Sequence, residues 1–301
     1  MDQLSLIIMA AGMGSRYGGS KQTDSFGPSG ELLMDYAIYN AMNMGFGKVV
    51  IVCSPENRDV FLKRYFQLAD RILVETAIQQ PPDYFRSENK YAAVRQKPWG
   101  TAHALLSAAD SITGPAIVIN ADDHYHPEVL KAMATAILHA PDEKHILMAG
   151  YMLSATLSGQ GRVSRALVLS NRKTNISELV EAISIGMEPD GRITGLIDGK
   201  QTDLAPDFRV SMNCWAIPQG VFPIMNVKFR QFVNQYQQDH NAEFQLPVVI
   251  SEMVQEHGFT LMIIPVEQAW FGVTFASDKS VVQQALNQLI EQGVYPAELW
   301  N

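Results

Sequence analysis

The sequence predicts an α/β fold, a doubly wound and mostly parallel sheet with a smaller antiparallel elaboration. Three observations lead there. Strand-like and helix-like segments alternate through the first half, the pattern made by helices crossing over a parallel sheet. The first strand runs straight into a glycine-rich stretch, Gly12–Gly19, where open α/β sheets place ligands. Beyond about residue 152 the alternation gives way to short β-branched runs separated by turn signals such as Pro189–Gly191.

Leu4–Ala10 is apolar at every position but Ser5, which suits a strand covered on both faces. Leu32–Met44 reads as a helix and Lys48–Cys53 (KVVIVC) as a second buried strand. Arg58–Leu68 has helical apolar spacing, Arg71–Thr76 is strand-like, and Thr101–Ala109 is an Ala-rich helix. Ala116–Asn120 (AIVIN) is a short β-branched strand, and Pro127, a residue suited to a first turn, opens the next helix. His145–Tyr151 completes this part. The later strand candidates are Val163–Leu169, Ile176–Ile183, Ile193–Ile197 and Val210–Ile217, expected to pair antiparallel and to cover the open edge of a site. Helices at Phe229–Gln237 and Leu246–His257, a strand at Thr260–Pro265 and a helix over Asp278–Gln292 follow. With no repeat, low-complexity tract or linker, the expectation is one domain over residues 1–301, with a first half at 1–151 and a second at 152–301.

Composition narrows the function. The 301 residues are 47% hydrophobic and carry 23 basic against 31 acidic side chains, a formal charge of −8. Nucleic-acid binding needs a clustered excess of Lys and Arg that no stretch supplies, whereas a small phosphorylated ligand needs only a local positive pocket. Two cysteines, Cys53 and Cys214, provide neither a disulfide framework nor a CxxC metal pair, and a reducing compartment fits them. No apolar run approaches the ~20 residues that span a bilayer, and the N-terminal run lacks the basic flank of a signal peptide. A cytoplasmic protein is expected, without membrane or nucleic-acid partners; the oligomeric state is left open.

The stretch Met9–Gln22 (MAAGMGSRYGGSKQ) differs from both well-known phosphate loops. In G-x-G-x-x-G the third glycine allows close helix–strand packing, and Tyr17 stands there instead. In G-x-x-x-x-G-K-[ST] the lysine follows the glycine at once; here Ser20 intervenes before Lys21. What remains is a glycine loop carrying Arg16 and Lys21. Its backbone N–H groups can approach phosphate oxygens, and the two cations can offset the charge of a triphosphate.

Ala10, Ala11, Gly12, Gly14, Ser15 and Arg16, followed by Lys21, resemble the A-A-G-x-G-[ST]-R signature of the sugar-1-phosphate nucleotidyltransferases. This family includes glucose-1-phosphate thymidylyltransferase and N-acetylglucosamine-1-phosphate uridylyltransferase. Lys97–Ala108 (KPWGTAHALLSA) is similar to the segment that holds base and ribose, which points to Gly100 and Thr101. Val118–Pro127 (VINADDHYHP) is similar to the strand-end segment whose aspartate binds magnesium, here Asp122. Glu181 and Asn213 stand where the family lines its sugar pocket. The resemblance implies a Rossmann-like enzyme that couples a nucleoside triphosphate to a sugar 1-phosphate with release of pyrophosphate. Arg16 and Lys21 would be catalytic, Ala10–Gly12, Gly14, Ser15, Gly100 and Thr101 would bind nucleotide, and Mg2+ would be the cofactor. A cytidylyltransferase for an alcohol phosphate such as phosphocholine, or a non-catalytic binding paralogue, is the alternative.

Ala269–Lys279 (AWFGVTFASDK) resembles the late segment W-x-D-x-G-T but has Gly272 where the second metal-binding aspartate should stand. Asp278 lies nearby as a substitute ligand, although its place before an amphipathic run suits a helix cap better. Several conspicuous side chains have plainer readings. His124 and His126 lack a third partner for zinc, His103 suits a satisfied polar role and a ligand contact equally, Trp99 suits an exposed or core aromatic more than a ring stacked near a base, and Trp215 and Trp270 read as core.

Overall fold

A computed structural model describes residues 4–12, 24–80, 95, 97–159, 161–171, 176–236 and 238–300. The predicted α/β architecture holds. Strands β1 (Ser5–Met9), β2 (Lys48–Cys53), β3 (Leu73–Ile78) and β4 (Ala116–Asn120) form a parallel unit in the order β3-β2-β1-β4. Beyond β4 the sheet continues with β11 (Arg209–Ile217), antiparallel to β4. It then reaches β6 (His145–Met152), antiparallel to β11, and β12 (Thr260–Pro265), parallel to β6.

The antiparallel elaboration is β7 (Val163–Asn171), β8 (Ile176–Met187), β9 (Ile193–Ile197) and β10 (Lys200–Leu204), a meander that joins the same sheet through β11. Trp215–Ile217 of β11 pair with β4, but at Val210 β11 pairs with β7 instead. Between these lies a bulge at Ser211–Trp215, with Asn213 at φ +56°. A non-glycine residue in that region is uncommon, and asparagine tolerates it better than most. The bulge sits beside the end of β4, where the two parts of the sheet meet.

Alternation along β1 shows why the strand is apolar from Leu6 to Met9. Leu6 and Ile8 enter a core shared with Met34 and Ile38 of α1 (Leu33–Asn43) and Leu130 and Met133 of α4 (Pro127–Leu138). Ile7 and Met9 enter the opposite core, with Leu105 of α3 (Thr101–Ser107), Phe229 of α5 (Val221–Gln235) and Ile250 of α6 (Leu246–His257). Each such side chain contributes about 1.5–3 kcal/mol by leaving water. A third cluster packs Leu33 and Tyr36 of α1 against Leu286 of α7 (Lys279–Glu291), Tyr295 and Leu299. Helix α2 (Arg58–Tyr65) covers the outer strands, with Phe61 buried.

The structure corrects some boundaries. Helix α5 starts at Val221 rather than Phe229, because Pro223 falls in the first turn, where no N–H is needed. Strand β3 begins two residues later than expected, after a 3-10 turn at Phe66–Leu68. Strand β10 was not anticipated, although Asp198 and Gly199, both at positive φ, form the hairpin turn that leads into it. Among the described residues no helix is long and apolar enough to cross a membrane.

Candidate active site

The chain moves outward from β1 to β2 and β3, then returns across β1 to β4. The C-terminal ends of β1 and β4 therefore flank a topological switch point, the ligand position of open α/β sheets. Pairing continues past the strand ends, since Ala10 N–H donates to Val52 O (2.7 Å) and Ala121 N–H to Met9 O (3.1 Å). Ala10 is buried, Ala11 half-buried and Gly12 exposed. Gly14, Ser15, Arg16 and Lys21 lie outside the described residues.

A cleft of about 260 Å³ lies next to these strand ends. Thr101, Asp122, Glu181 and Asn213, distant in sequence, all line it, joined by Asp123, Arg165, Glu243 and Trp270. A larger cavity of about 790 Å³ around Leu106 and Phe222 is lined by none of the anticipated site residues. The smaller cleft has the chemistry and is the one to consider.

The turn after β4 brings the acids to the cleft. Asp123 and His124 form a short strand, β5, paired antiparallel with β13 (Phe271–Gly272), and Val273 N–H donates to Asp122 O (3.0 Å). The late segment is thereby tied to the acidic strand end. Asp123 Oδ2 accepts from Asn120 Nδ2 (2.7 Å) and lies 3.2 Å from the Tyr125 hydroxyl, which donates to Met212 O (2.6 Å). A Cβ on Gly272 would strike Asp123 Oδ1 and the Trp270 ring. The space that a side chain at 272 would need is filled by the carboxylate of Asp123.

Thr101 opens α3, and its Oγ1 accepts from Leu246 N–H (2.9 Å), satisfying one free donor at the start of α6. Gly100 has φ +107°, and a Cβ there would meet the Phe244 backbone at 2.6 Å. The close approach at Gly100 is made to the protein's own chain, with Ala102 N–H donating to Phe244 O (2.9 Å).

Asp278 also departs from expectation. Its Oδ2 accepts from Thr274 N–H (2.9 Å) and Phe275 N–H (2.7 Å), so it closes the turn before α7, and its side chain caps none of that helix's own amides. Trp270, read as core, lines the cleft with its indole N–H buried and unpartnered. Trp215 and Trp99 are buried as expected. His124 stacks on Phe271 and bonds Tyr295 Oη (2.9 Å), while His126 accepts from Glu128 N–H (3.3 Å) at the head of α4. His103 stacks on Phe229. Burial holds both His103 and His124 near a pKa of about 3, helped by Arg95 and His126 respectively, so both are neutral. Among the described residues no group of three or more His, Cys, Asp or Glu could hold a metal ion.

Sequence reasoning missed Arg165, Glu243 and Trp270. Arg165 carried a signal, a lone charge within the apolar run Val163–Leu169. It is the one cation among the described residues lining the cleft. Burial lowers its pKa to about 10, opposed by the nearby charges of Asp123 and Glu181, and it stays protonated at neutral pH. Burial raises the pKa of Glu181; Arg165 opposes this and Glu243 adds to it.

Residues 6–151 match the family model of the MobA-like NTP transferase domain. This match, over a little under half of the chain, supports an enzyme of the nucleotidyltransferase type. Among solved structures it is similar to the inositol-1-phosphate CTP transferase from T. maritima. The TM-score is 0.60 at 16% identity, over 95% of this chain and 96% of that one, a likeness of fold. No curated protein matches the sequence significantly.

Proposed function

We propose that this enzyme couples a nucleoside triphosphate to a sugar 1-phosphate, releasing pyrophosphate and leaving the sugar on a nucleoside diphosphate. The observation that carries the reading is the meeting of Thr101, Asp122, Glu181 and Asn213 in one cleft at the ends of β1 and β4. Glu181, Asn213 and Glu243 offer hydrogen-bond partners suited to ring hydroxyls.

In this reading an oxygen of the acceptor phosphate attacks the α-phosphorus in line. The new P–O bond forms as the bond to the β-phosphate oxygen breaks, and pyrophosphate departs with the electron pair. The acceptor phosphate is already ionised at pH 7, so no general base is assigned. Catalysis rests on alignment and charge neutralisation. Arg16 and Lys21 would hold the triphosphate and the departing charge, with Ala11, Gly12, Gly14 and Ser15 giving backbone donors, while the Ala10 amide is already engaged by Val52 O. Magnesium suits a site of carboxylates completed by phosphate oxygens and water, and Asp122 with Asp123 would hold it. When bound, the ion would neutralise phosphate charge.

The experiment is pyrophosphate release across a grid of the common nucleoside triphosphates against glucose 1-phosphate, other sugar 1-phosphates, inositol 1-phosphate and phosphocholine. Inositol 1-phosphate is included because the structurally similar transferase from T. maritima is named for it. Sustained release with a sugar 1-phosphate as the best acceptor is expected. Preference for phosphocholine would replace the acceptor assignment, and no release with any pair would favour a binding paralogue.

A further inference from the structure

We propose that Arg165 anchors the phosphate of the acceptor, a role distinct from that of the glycine-loop cations. The inference rests on the acceptor reading above and adds the residue that selects a phosphorylated over a neutral polyol.

A guanidinium has five N–H donors. On Arg165, Nε donates to Thr156 Oγ1 (3.4 Å), Nη1 to Ser164 O (2.8 Å) and Nη2 to Thr156 O (2.6 Å). One N–H on each terminal nitrogen remains, two donors with which a guanidinium can hold phosphate oxygens. Two of these bonds tie the group to backbone carbonyls and the third to the Thr156 hydroxyl, and the Trp270 ring supports it at 5.6 Å to the centroid. Its side chain is therefore already ordered before any ligand arrives, which lowers the entropic cost of binding.

Charge points the same way. No carboxylate of the described residues forms a salt bridge with Arg165 within 4.0 Å, although Asp123 and Glu181 both act on it through space. A half-buried cation without an ion pair is costly to maintain. An anion in the cleft would relieve that cost. The position is suited to an acceptor's phosphate: Asp123 marks the strand end where the reacting group is expected, and Glu181 the wall expected to face the ring.

Wild type, Arg165→Met and Arg165→Lys are compared by calorimetry and by kinetics. The acceptor probe is whichever of glucose 1-phosphate, inositol 1-phosphate and phosphocholine binds wild type tightest, with its dephosphorylated parent as control. The nucleotide probe is the preferred triphosphate. Losing a charge-assisted pair of bonds should raise the acceptor Kd about tenfold to a hundredfold in Arg165→Met. Binding of the parent and of the nucleotide should not change. Arg165→Lys should recover part of the loss, and the acceptor KM should rise more than kcat falls. A rise in nucleotide Kd with acceptor affinity intact would assign Arg165 to the triphosphate, and unchanged affinities for both would make it a structural clamp; either overturns the proposal. Should the methionine variant fail to fold, Arg165→Lys decides alone, with an expected threefold to tenfold loss of acceptor affinity. If wild type releases no pyrophosphate in the grid, the acceptor reading fails; if it does and Arg165→Met matches it throughout, only the present inference fails.

Discussion

Asp123 and Gly272 face each other across a pair of short strands, and only one of them has room for a side chain. Gly272→Asp alone should destabilise the protein, because its Cβ meets Asp123 and Trp270; a lowered Tm checks this. Combining it with Asp123→Gly moves the carboxylate across the pair, and magnesium affinity by calorimetry should recover relative to Asp123→Gly. No recovery would mean that the carboxylate at 123 does not stand in for one at 272. Asp122→Asn should abolish metal-dependent turnover, whereas Asp278→Ala should cost about 1 kcal/mol of stability and little catalysis, since that carboxylate is engaged by two backbone amides. Glu181 gives a test with a pH sign. Its folded pKa is raised above 4.5 by burial, so ionisation costs stability above that range and nothing below it. Glu181→Gln should therefore raise Tm at pH 7, the gain shrinking as pH falls toward about 4.5, while acceptor affinity drops. A lowered Tm at pH 7 would contradict this.

At the scale of elements, the start of α3 couples to α6 through backbone alone. Gly100 sits at φ +107° against Phe244, and Thr101 accepts from the first amide of α6. Gly100→Val should lower Tm sharply, even without nucleotide, by strain at positive φ and by the clash. A variant as stable as wild type would show that the loop relaxes. The two buried histidines set an acid limit on the packed elements. With folded pKa values near 3 against the usual 6.5, they leave stability intact above about pH 6.5 and remove it as pH falls toward 3, because the unfolded chain takes up the protons. Replacing His103 by Gln should flatten the Tm profile over that window. The elements themselves were legible where apolar periodicity was strong: β2, β4, β9, β12 and α6 lie at the expected boundaries. They were less legible where a local feature competed. Pro223 hid the first turns of α5, and β10, with polar Lys200, Gln201 and Asp203 on an outer strand, has little apolar pattern to read.

For the whole molecule, order along the chain made the parallel unit and its switch point readable, because a glycine loop after β1 and acids after β4 announce a shared end of the sheet. Asp122, Thr101, Glu181 and Asn213 were readable as candidates from motif order. Arg165, Glu243 and Trp270 were not, since Arg165 enters the cleft through the β7–β8 pairing, Trp270 beside the β5–β13 pairing and Glu243 through the contact of the adjoining Phe244 with the loop at Gly100, none of which local spacing encodes. The glycine-loop cations carry the heaviest mechanistic weight. Arg16→Ala should lower turnover about tenfold to a thousandfold, the scale of losing one charge-stabilising donor, with the fold retained. The central claim, nucleotidyl transfer to an acceptor phosphate, is tested most directly by a single turnover with triphosphate labelled at the α-phosphorus and an excess of sugar 1-phosphate. The account predicts that the label appears in a nucleoside-diphosphate sugar, with unlabelled pyrophosphate formed in equal amount. Label released as free nucleoside monophosphate or diphosphate would contradict it.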